Sequence, residues 1–413
     1  MFDRFSRRWV SLICASAMAM PLPLLAQTTT VSGSSTSPAT TSLSTSNTVS
    51  AVVDVAAVST ISKPVVASRA WIVVDAVTGQ TIASQNPSQE VEPASLTKIM
   101  TVYLTFEALK ENRITLDQQV NVSEKAWRTP GSRMFIEPRK PVTVQELLNG
   151  VVVQSGNDAS VAIAELLAGT EGAFAQQMTE KAIELGMKDT TFKNSNGLPD
   201  PEHTTTVQDL AILAQRMIAD HPEKYEMYAV REFTYNNIKQ NNRNRLLWAD
   251  PSVDGMKTGH TTAAGYCLIA TAQRGERRII SVLVGAESEA TRAEESLKLL
   301  NWSFQNFDSV KLFDANKAAI EARVWEGTTE LAALGSPLPI LVTIPRGKTG
   351  DVLVTAQRPD PLLAPLSQGQ RVGQMTLSLD GQPLRVLPLD VLVPVERAGF
   401  FGRAIDQFKR WLQ

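Results

Sequence analysis

The chain has 413 residues, 43% of them apolar, with 40 Lys and Arg set against 42 Asp and Glu. That length allows two or three domains, each with its own core, and a formal net charge of −2 with no basic face gives no footing for nucleic acid. Two cysteines and three histidines offer no disulfide framework, zinc cluster or histidine-based triad, so no metal or other cofactor is expected.

Residues 1–26 read as a signal peptide. Arg4, Arg7 and Arg8 precede an apolar run over 9–25, Pro21 and Pro23 interrupt any long spanning helix, and Ala26 offers a small residue for cleavage. Cys14 would leave with this segment, and Cys267 lies in an apolar strand pattern that suits a small buried side chain. From Gln27 to about Ser59 the chain is rich in Ser and Thr, so 27–63 is expected to be a spacer, with only 52–58 able to pack locally.

Residues 64–310 are expected to form one domain. Runs at 70–75 and 80–84 read as strands joined through Thr78-Gly79. They lead to Pro93-Ala94-Ser95-Leu96-Thr97-Lys98-Ile99-Met100, which opens an apolar helical pattern. Positions three apart share a helical face, so Ser95 and Lys98 project together. An unprotonated lysine can take a serine's proton and make the hydroxyl a nucleophile. A serine in the first turn also has a free backbone N–H to offer a reacting carbonyl oxygen. Alone, the motif also describes a capping serine followed by a surface lysine.

Helical patterns follow at 144–148, 159–167 and 174–185. Val153-Gln154-Ser155-Gly156-Asn157-Asp158 lies between the first two, where Ser155 supplies a second hydroxyl and Asn157 an amide suited to a peptide carbonyl. The same residue types favour a helix cap. Asn194-Ser195-Asn196-Gly197-Leu198-Pro199 reads as a loop bordering the site, with no chemistry of its own. Asp254-Gly255-Met256-Lys257-Thr258-Gly259-His260 precedes strands at 266–273 and 278–285 and a helix at 290–304. Glycine admits close backbone approach, and Lys257 with Thr258 presents a cation and a hydroxyl at a strand edge, which suits an extended anionic substrate. Strands at both ends with helices between them imply an α/β (α+β) domain whose single sheet is built from distant segments.

Beyond residue 308, short runs at 319–325, 338–344, 351–357, 374–379 and 384–392 are separated by turn residues, and Asp380-Gly381 is a hairpin signal. A small β-sandwich over 311–394 without catalytic residues is expected. In 395–413, Phe401, Ala404, Ile405, Phe408, Trp411 and Leu412 gather on one helical side, opposite Arg403, Asp406 and Arg410. Such a helix suits the membrane interface, and packing on its own β-domain is the competing reading.

The order Ser-x-x-Lys, Ser-x-Asn, Lys-Thr-Gly, spaced by sixty and about a hundred residues, is that of serine β-lactamases and penicillin-binding proteins, with Ser-Gly-Asn in place of Ser-Asp-Asn. From about residue 67 onward the chain resembles low-molecular-mass penicillin-binding proteins, the D-alanyl-D-alanine carboxypeptidases of the bacterial periplasm. Asn242-Arg243-Asn244, Leu247-Trp248 and the run from Val253 to Thr261 carry the likeness further. The resemblance implies a β-lactamase/transpeptidase-like catalytic domain acting on peptidoglycan stem peptides and acylated by β-lactam antibiotics. It gives Ser95 as nucleophile, Lys98 as base and Ser155 as proton relay, with Asn157 on the substrate peptide group. Lys257 would keep Lys98 neutral, and the N–H groups of Ser95 and His260, beside Gly259, would form the oxyanion hole. Thr258, Arg292 and Arg243 would receive the terminal carboxylate, although Arg292 is also placed to pair with neighbouring acids on a solvated helix. It further implies a periplasmic protein attached to the outer face of the cytoplasmic membrane. Members of that family often carry a cysteine where this chain has Ser160. A β-lactamase, a DD-endopeptidase and a non-catalytic wall-binding scaffold are the alternatives, and no carboxylate motif dedicated to rapid deacylation is evident.

Overall fold

The computed structural model describes residues 54–411. The signal-peptide reading, and the spacer up to residue 53, lie outside the described residues. The remainder of the expected spacer belongs to the fold: Val55–Val58 is a 3-10 turn with Val55 and Ala56 buried. The Asp54 carboxylate accepts the Ser84 N–H at 3.2 Å and the Ser84 hydroxyl at 2.9 Å, pinning this turn to the second strand.

Five antiparallel strands form the central sheet: β1 (Ala70–Asp75), β2 (Thr81–Gln85), β3 (Val253–Thr261), β4 (Gly265–Arg274) and β5 (Arg277–Ala286), in the order β2-β1-β5-β4-β3. The distant segments join where β1 pairs with β5, from Ala70↔Val284 to Asp75↔Ile279. Every residue of β1 is buried, because both faces of the sheet are covered. Side chains alternate across a strand, so Ile72 and Val74 enter one core with the helices α1 (Lys98–Lys110), α2 (Asn157–Ala168), α3 (Glu171–Leu185) and α4 (Val207–Asp220). Trp71 and Val73 enter a second core with Leu299 and Leu300 of α5 (Glu289–Asn306). The expected helix at 144–148 is Val144–Asn149, started by a Thr143/Glu146 capping box, and it runs into a π-turn over Gly150–Gln154.

The C-terminal part is β-rich. β6 (Phe307–Phe313) pairs with β9 (Ile340–Pro345), while β7 (Ala318–Trp325), β8 (Leu331–Gly335), β10 (Val352–Gln357), β11 (Leu362–Leu363), β12 (Arg371–Leu379) and β13 (Gln382–Val391) form one sheet in the order β10-β12-β13-β8-β7-β11. β6, β8 and β11 were not singled out in the sequence. The Asp380-Gly381 turn closes the β12–β13 hairpin with φ of +49° and +77°, the left-handed pair that the Asp-Gly signal demands. The second core continues from α5 into Phe307, Val342 and Ile344. Polar contacts cross the same boundary: the hydroxyls of Thr78 and Thr343 lie 2.7 Å apart, and Gln80 Oε1 accepts the Thr343 N–H at 2.8 Å. The last helix, α6 (Phe400–Trp411), follows this domain.

Candidate active site

Ser95 does not lie in the first turn of an α-helix. It sits in a 3-10 turn, Ala94–Thr97, and α1 begins at Lys98. In a 3-10 turn side chains three apart eclipse, so the serine hydroxyl stands over the lysine: Lys98 Nζ is 3.0 Å from Ser95 Oγ. Ala94, just before the nucleophile, is held at φ +47°, a strained conformation for a residue with a Cβ. Gly197 (φ +82°) packs against it so closely that an added Cβ would lie 1.8 Å from the Ala94 carbonyl oxygen.

Lys98 is fully buried and has two further partners, Asn157 Oδ1 at 2.7 Å and the Asn196 carbonyl oxygen at 2.5 Å. Burial is the largest cause lowering its pKa from 10.5 to about 7; the Arg243 charge adds to this, while Asp158 and Glu171 pull the other way. An ammonium group has three N–H donors for these three acceptors; the neutral amine has two N–H and a lone pair. With the N–H groups held by Asn157 and Asn196, the lone pair faces the Ser95 hydroxyl.

Asn157 opens α2, with its amide engaged at both ends: Oδ1 by Lys98, and Nδ2 donating to the Pro130 carbonyl at 2.7 Å. The neighbouring Asp158 is buried and accepts the N–H groups of Met134, Phe135 and Ile136 at 3.0, 2.8 and 3.2 Å, which fixes the 130–136 segment beside the site. Ser155 is the C-cap of the π-turn, at φ +65° with its backbone N–H donating to the Gly150 carbonyl, but its buried hydroxyl caps nothing and has no hydrogen-bond partner among the described residues. Ser160 is buried one turn into α2 and donates to the Gly156 carbonyl at 2.8 Å.

β3 is the edge of the sheet and runs alongside the 3-10 turn. A Cβ on Gly259 would lie 3.3 Å from both the Ser95 nitrogen and the Ala94 Cβ, so glycine keeps the space before the Ser95 N–H open. Lys257 and Thr258 are buried beside it, and Lys257 Nζ donates to the Thr258 carbonyl at 3.0 Å. The His260 imidazole is exposed, its ring centroid 4.1 Å from that of Tyr266, so what this residue offers the site is its backbone. Cys267 on β4 is fully buried, and burial pushes its thiol up to about 11, as suits a small packing residue.

Burial does most to keep Lys98 neutral, and the Arg243 charge adds to it; Lys257 and Lys98 disfavour each other's charged forms, a repulsion that falls on Lys257. Lys257 is pushed well below its ordinary value by burial and then by the charges of Lys98, Arg243 and Arg292. Arg243 is exposed and donates from Nε to the Gln154 carbonyl at 3.2 Å, which stations its charge next to Ser155. Arg292 is buried rather than on a solvated face; it pairs with Glu289 at 3.0 Å and lies 5.9 Å over the Tyr266 ring.

The 194–199 loop, expected to have no chemistry, provides the third Lys98 acceptor. Glu171 holds it: one carboxylate oxygen accepts the Ser195 N–H at 3.2 Å, the Ser195 hydroxyl at 2.9 Å and Asn196 Nδ2 at 3.1 Å, while the other pairs with Lys125 at 2.9 Å. A cleft of about 640 Å³ lined by Lys125, Arg128, Pro130, Glu171, Asn194 and Asn196 opens beside this loop.

Comparison with known proteins decides the family. Residues 57–288 match the peptidase S11 D-alanyl-D-alanine carboxypeptidases, and residues 307–397 match the C-terminal domain of penicillin-binding protein 5. The chain belongs to the peptidase S11 family. This S11 chain is 42% identical over 368 residues to the D-alanyl-D-alanine carboxypeptidase DacC of Escherichia coli, covering 86% of its own length and 92% of that protein. It is 38% identical over 354 residues to E. coli DacA, covering 84% and 88% of the two chains. Its fold matches the crystal structure of penicillin-binding protein 5 from Haemophilus influenzae with a TM-score of 0.78 and 38% identity, covering 82% of this chain and all of that one. Penicillin-binding protein D2 of Listeria monocytogenes, solved in an ampicillin-bound form, matches with a TM-score of 0.55 and 30% identity over 59% of this S11 chain and all of that chain.

Proposed function

We propose that this S11 enzyme is a serine-type D-Ala-D-Ala carboxypeptidase that removes the terminal D-alanine from peptidoglycan stem pentapeptides through an acyl-enzyme on Ser95. The observation that carries the residue assignment is the set of three acceptors around one buried lysine whose pKa is about 7. Neutral Lys98 takes the hydroxyl proton as Ser95 Oγ bonds to the carbonyl carbon of the penultimate D-alanine. Negative charge moves to the carbonyl oxygen, where the Ser95 and His260 N–H groups receive it. The C–N bond then breaks, and the proton on Lys98 passes through the Ser155 hydroxyl to the departing amine, which gives that unpartnered hydroxyl a task. Water hydrolyses the remaining ester and restores Ser95.

The leaving D-alanine carries a carboxylate. Lys257, Thr258 and Arg243 are the groups to receive it, and an anion there favours the charged form of Lys257, which burial and the charges of Lys98, Arg243 and Arg292 disfavour. Arg292, buried and paired with Glu289, adds its charge to the same potential. A β-lactam presents a strained amide and a carboxylate in the same relation, so it acylates the same serine. The test is mass spectrometry of the penicillin adduct with peptide mapping, together with D-alanine release from a pentapeptide. An adduct on Ser95 and loss of both activities in Ser95→Ala are expected; an adduct elsewhere, or equal release by the variant, refutes the assignment.

The protein acts in the periplasm, at the outer face of the cytoplasmic membrane. Among the described residues no helix is long and apolar enough to cross a membrane, and α6 instead places Phe400, Phe401, Ile405, Phe408 and Trp411 on its surface, the composition of an interfacial helix. Removing residues 400–413 should release the protein from membranes; unchanged membrane association would refute the anchor.

A further inference from the structure

α6 leaves five large apolar side chains in solvent: Phe400, Phe401, Ile405, Phe408 and Trp411 are 74, 82, 56, 61 and 79% exposed. At a helical period they span an arc of about 140°. The opposite face is not free, because the β-domain holds it through Glu326, which follows β7. The Glu326 backbone N–H donates to Asp406 Oδ2 at 2.7 Å, and its carbonyl accepts the Ala398 N–H at 2.7 Å. Its carboxylate accepts from Arg397 at 3.1 Å and Gln407 Nε2 at 3.4 Å, and lies 4.0 Å from Arg410. Glu326 adopts φ +58°, which glycine would tolerate better. A carboxylate stands there instead, and its N–H, C=O and side chain all engage residues 397–410.

We infer that Glu326 and Asp406 clasp the polar face of α6 to the β-domain, so that domain and helix dock as one rigid body on a lipid bilayer through the aromatic face. The inference rests on the membrane reading above and adds an orientation to it. A bilayer is the occupant that fits the face, since aromatic rings favour the headgroup boundary, and the exposed Lys409 beside the arc suits lipid phosphates. A flexible tether would let the catalytic domain sample many heights above the membrane. The clasp, with the core shared by α5 and the β-domain, holds Ser95 at one height.

The experiment uses the full mature chain, Glu326→Ala and Asp406→Ala. The second variant alters only the helix side, so it remains informative if the first does not fold, and D-alanine release from a soluble peptide reports folding of both. Hydrogen exchange of 400–411 is followed in solution and on phosphatidylglycerol/phosphatidylethanolamine vesicles, with a spin-label distance from the catalytic domain to the bilayer. The intact protein should protect α6 before vesicles are added and show one narrow distance on them. The variants should exchange at least tenfold faster in solution, still bind vesicles, and give a broad distance distribution. Equal exchange in all three proteins, or an unprotected helix in the intact one, overturns the clasp. A protected helix that binds no vesicles overturns the membrane reading instead, and a single distance shared by variants and intact protein shows that orientation is set elsewhere.

Discussion

In the proposed mechanism only neutral Lys98 accepts the Ser95 proton, so the acylation rate should follow the free-amine fraction. With a pKa of about 7 in place of 10.5, about half the molecules are competent at neutral pH, against about one in 3000 for an ordinary lysine. The sign follows from the group being a base: acylation is lost as pH falls through about 7 and levels off above it. Arg243→Gln tests the cause. Burial, the larger influence, is untouched, while the cation that also disfavours the charged amine is removed, so the acid limb should move to higher pH. Arg243 is exposed and screened, so the displacement should be modest, about half a unit, or about a threefold slower acylation on the limb. The assay is the second-order rate of acylation by a fluorescent penicillin between about pH 5 and about pH 9. Lost carboxylate contact alone would lower the rate by the same factor at every pH, whereas the electrostatic effect moves the limb. A profile without an acid limb in that range, or with the same limb in the variant, refutes the reasoning.

The remaining predictions concern the groups that hold the lysine and the nucleophile. Glu171→Gln keeps the size but weakens the charge-assisted bonds to Ser195 and Asn196, so kcat should fall by about tenfold with little change in melting temperature; a large loss of stability with normal specific activity would make Glu171 merely structural. Gly197→Ala brings a Cβ against the Ala94 carbonyl at a left-handed position, and should cost about 2 kcal/mol or more in a denaturant titration. An unchanged midpoint would show that the Ala94–Gly197 contact is not under constraint.

The parts of this protein that could be read in sequence are those governed by local periodicity and residue type. β1, β4 and β5 show their buried apolar runs, α2 and α3 their helical spacing, and Asp380-Gly381 its turn, because each follows from neighbours a few residues away. Ser95 and Lys98 belong to the same class: a spacing of three puts them together in either kind of helical turn, so the pairing survives although the turn is 3-10 rather than α. The left-handed Ala94 was invisible because alanine does not advertise that conformation; the signal lay a hundred residues away, in a glycine that had to make room for it.

The Asn196 carbonyl was invisible for a deeper reason. Every residue has one, so a backbone acceptor leaves no trace in residue type, and the Asn-Ser-Asn-Gly run announces only a turn. Yet that carbonyl restricts where the neutral Lys98 amine can point. With Asn157 alone, the amine could point one N–H at an amide oxygen and leave its lone pair in any direction. With Asn196 added, both N–H groups of the neutral form are committed, and the lone pair has one neighbour left, the Ser95 hydroxyl. Moving that carbonyl away would lose a hydrogen bond and also free the amine to turn from the serine. Glu171 touches neither reacting atom; it acts through the loop whose carbonyl fixes the direction of that lone pair, and its charge also favours the protonated form of Lys98.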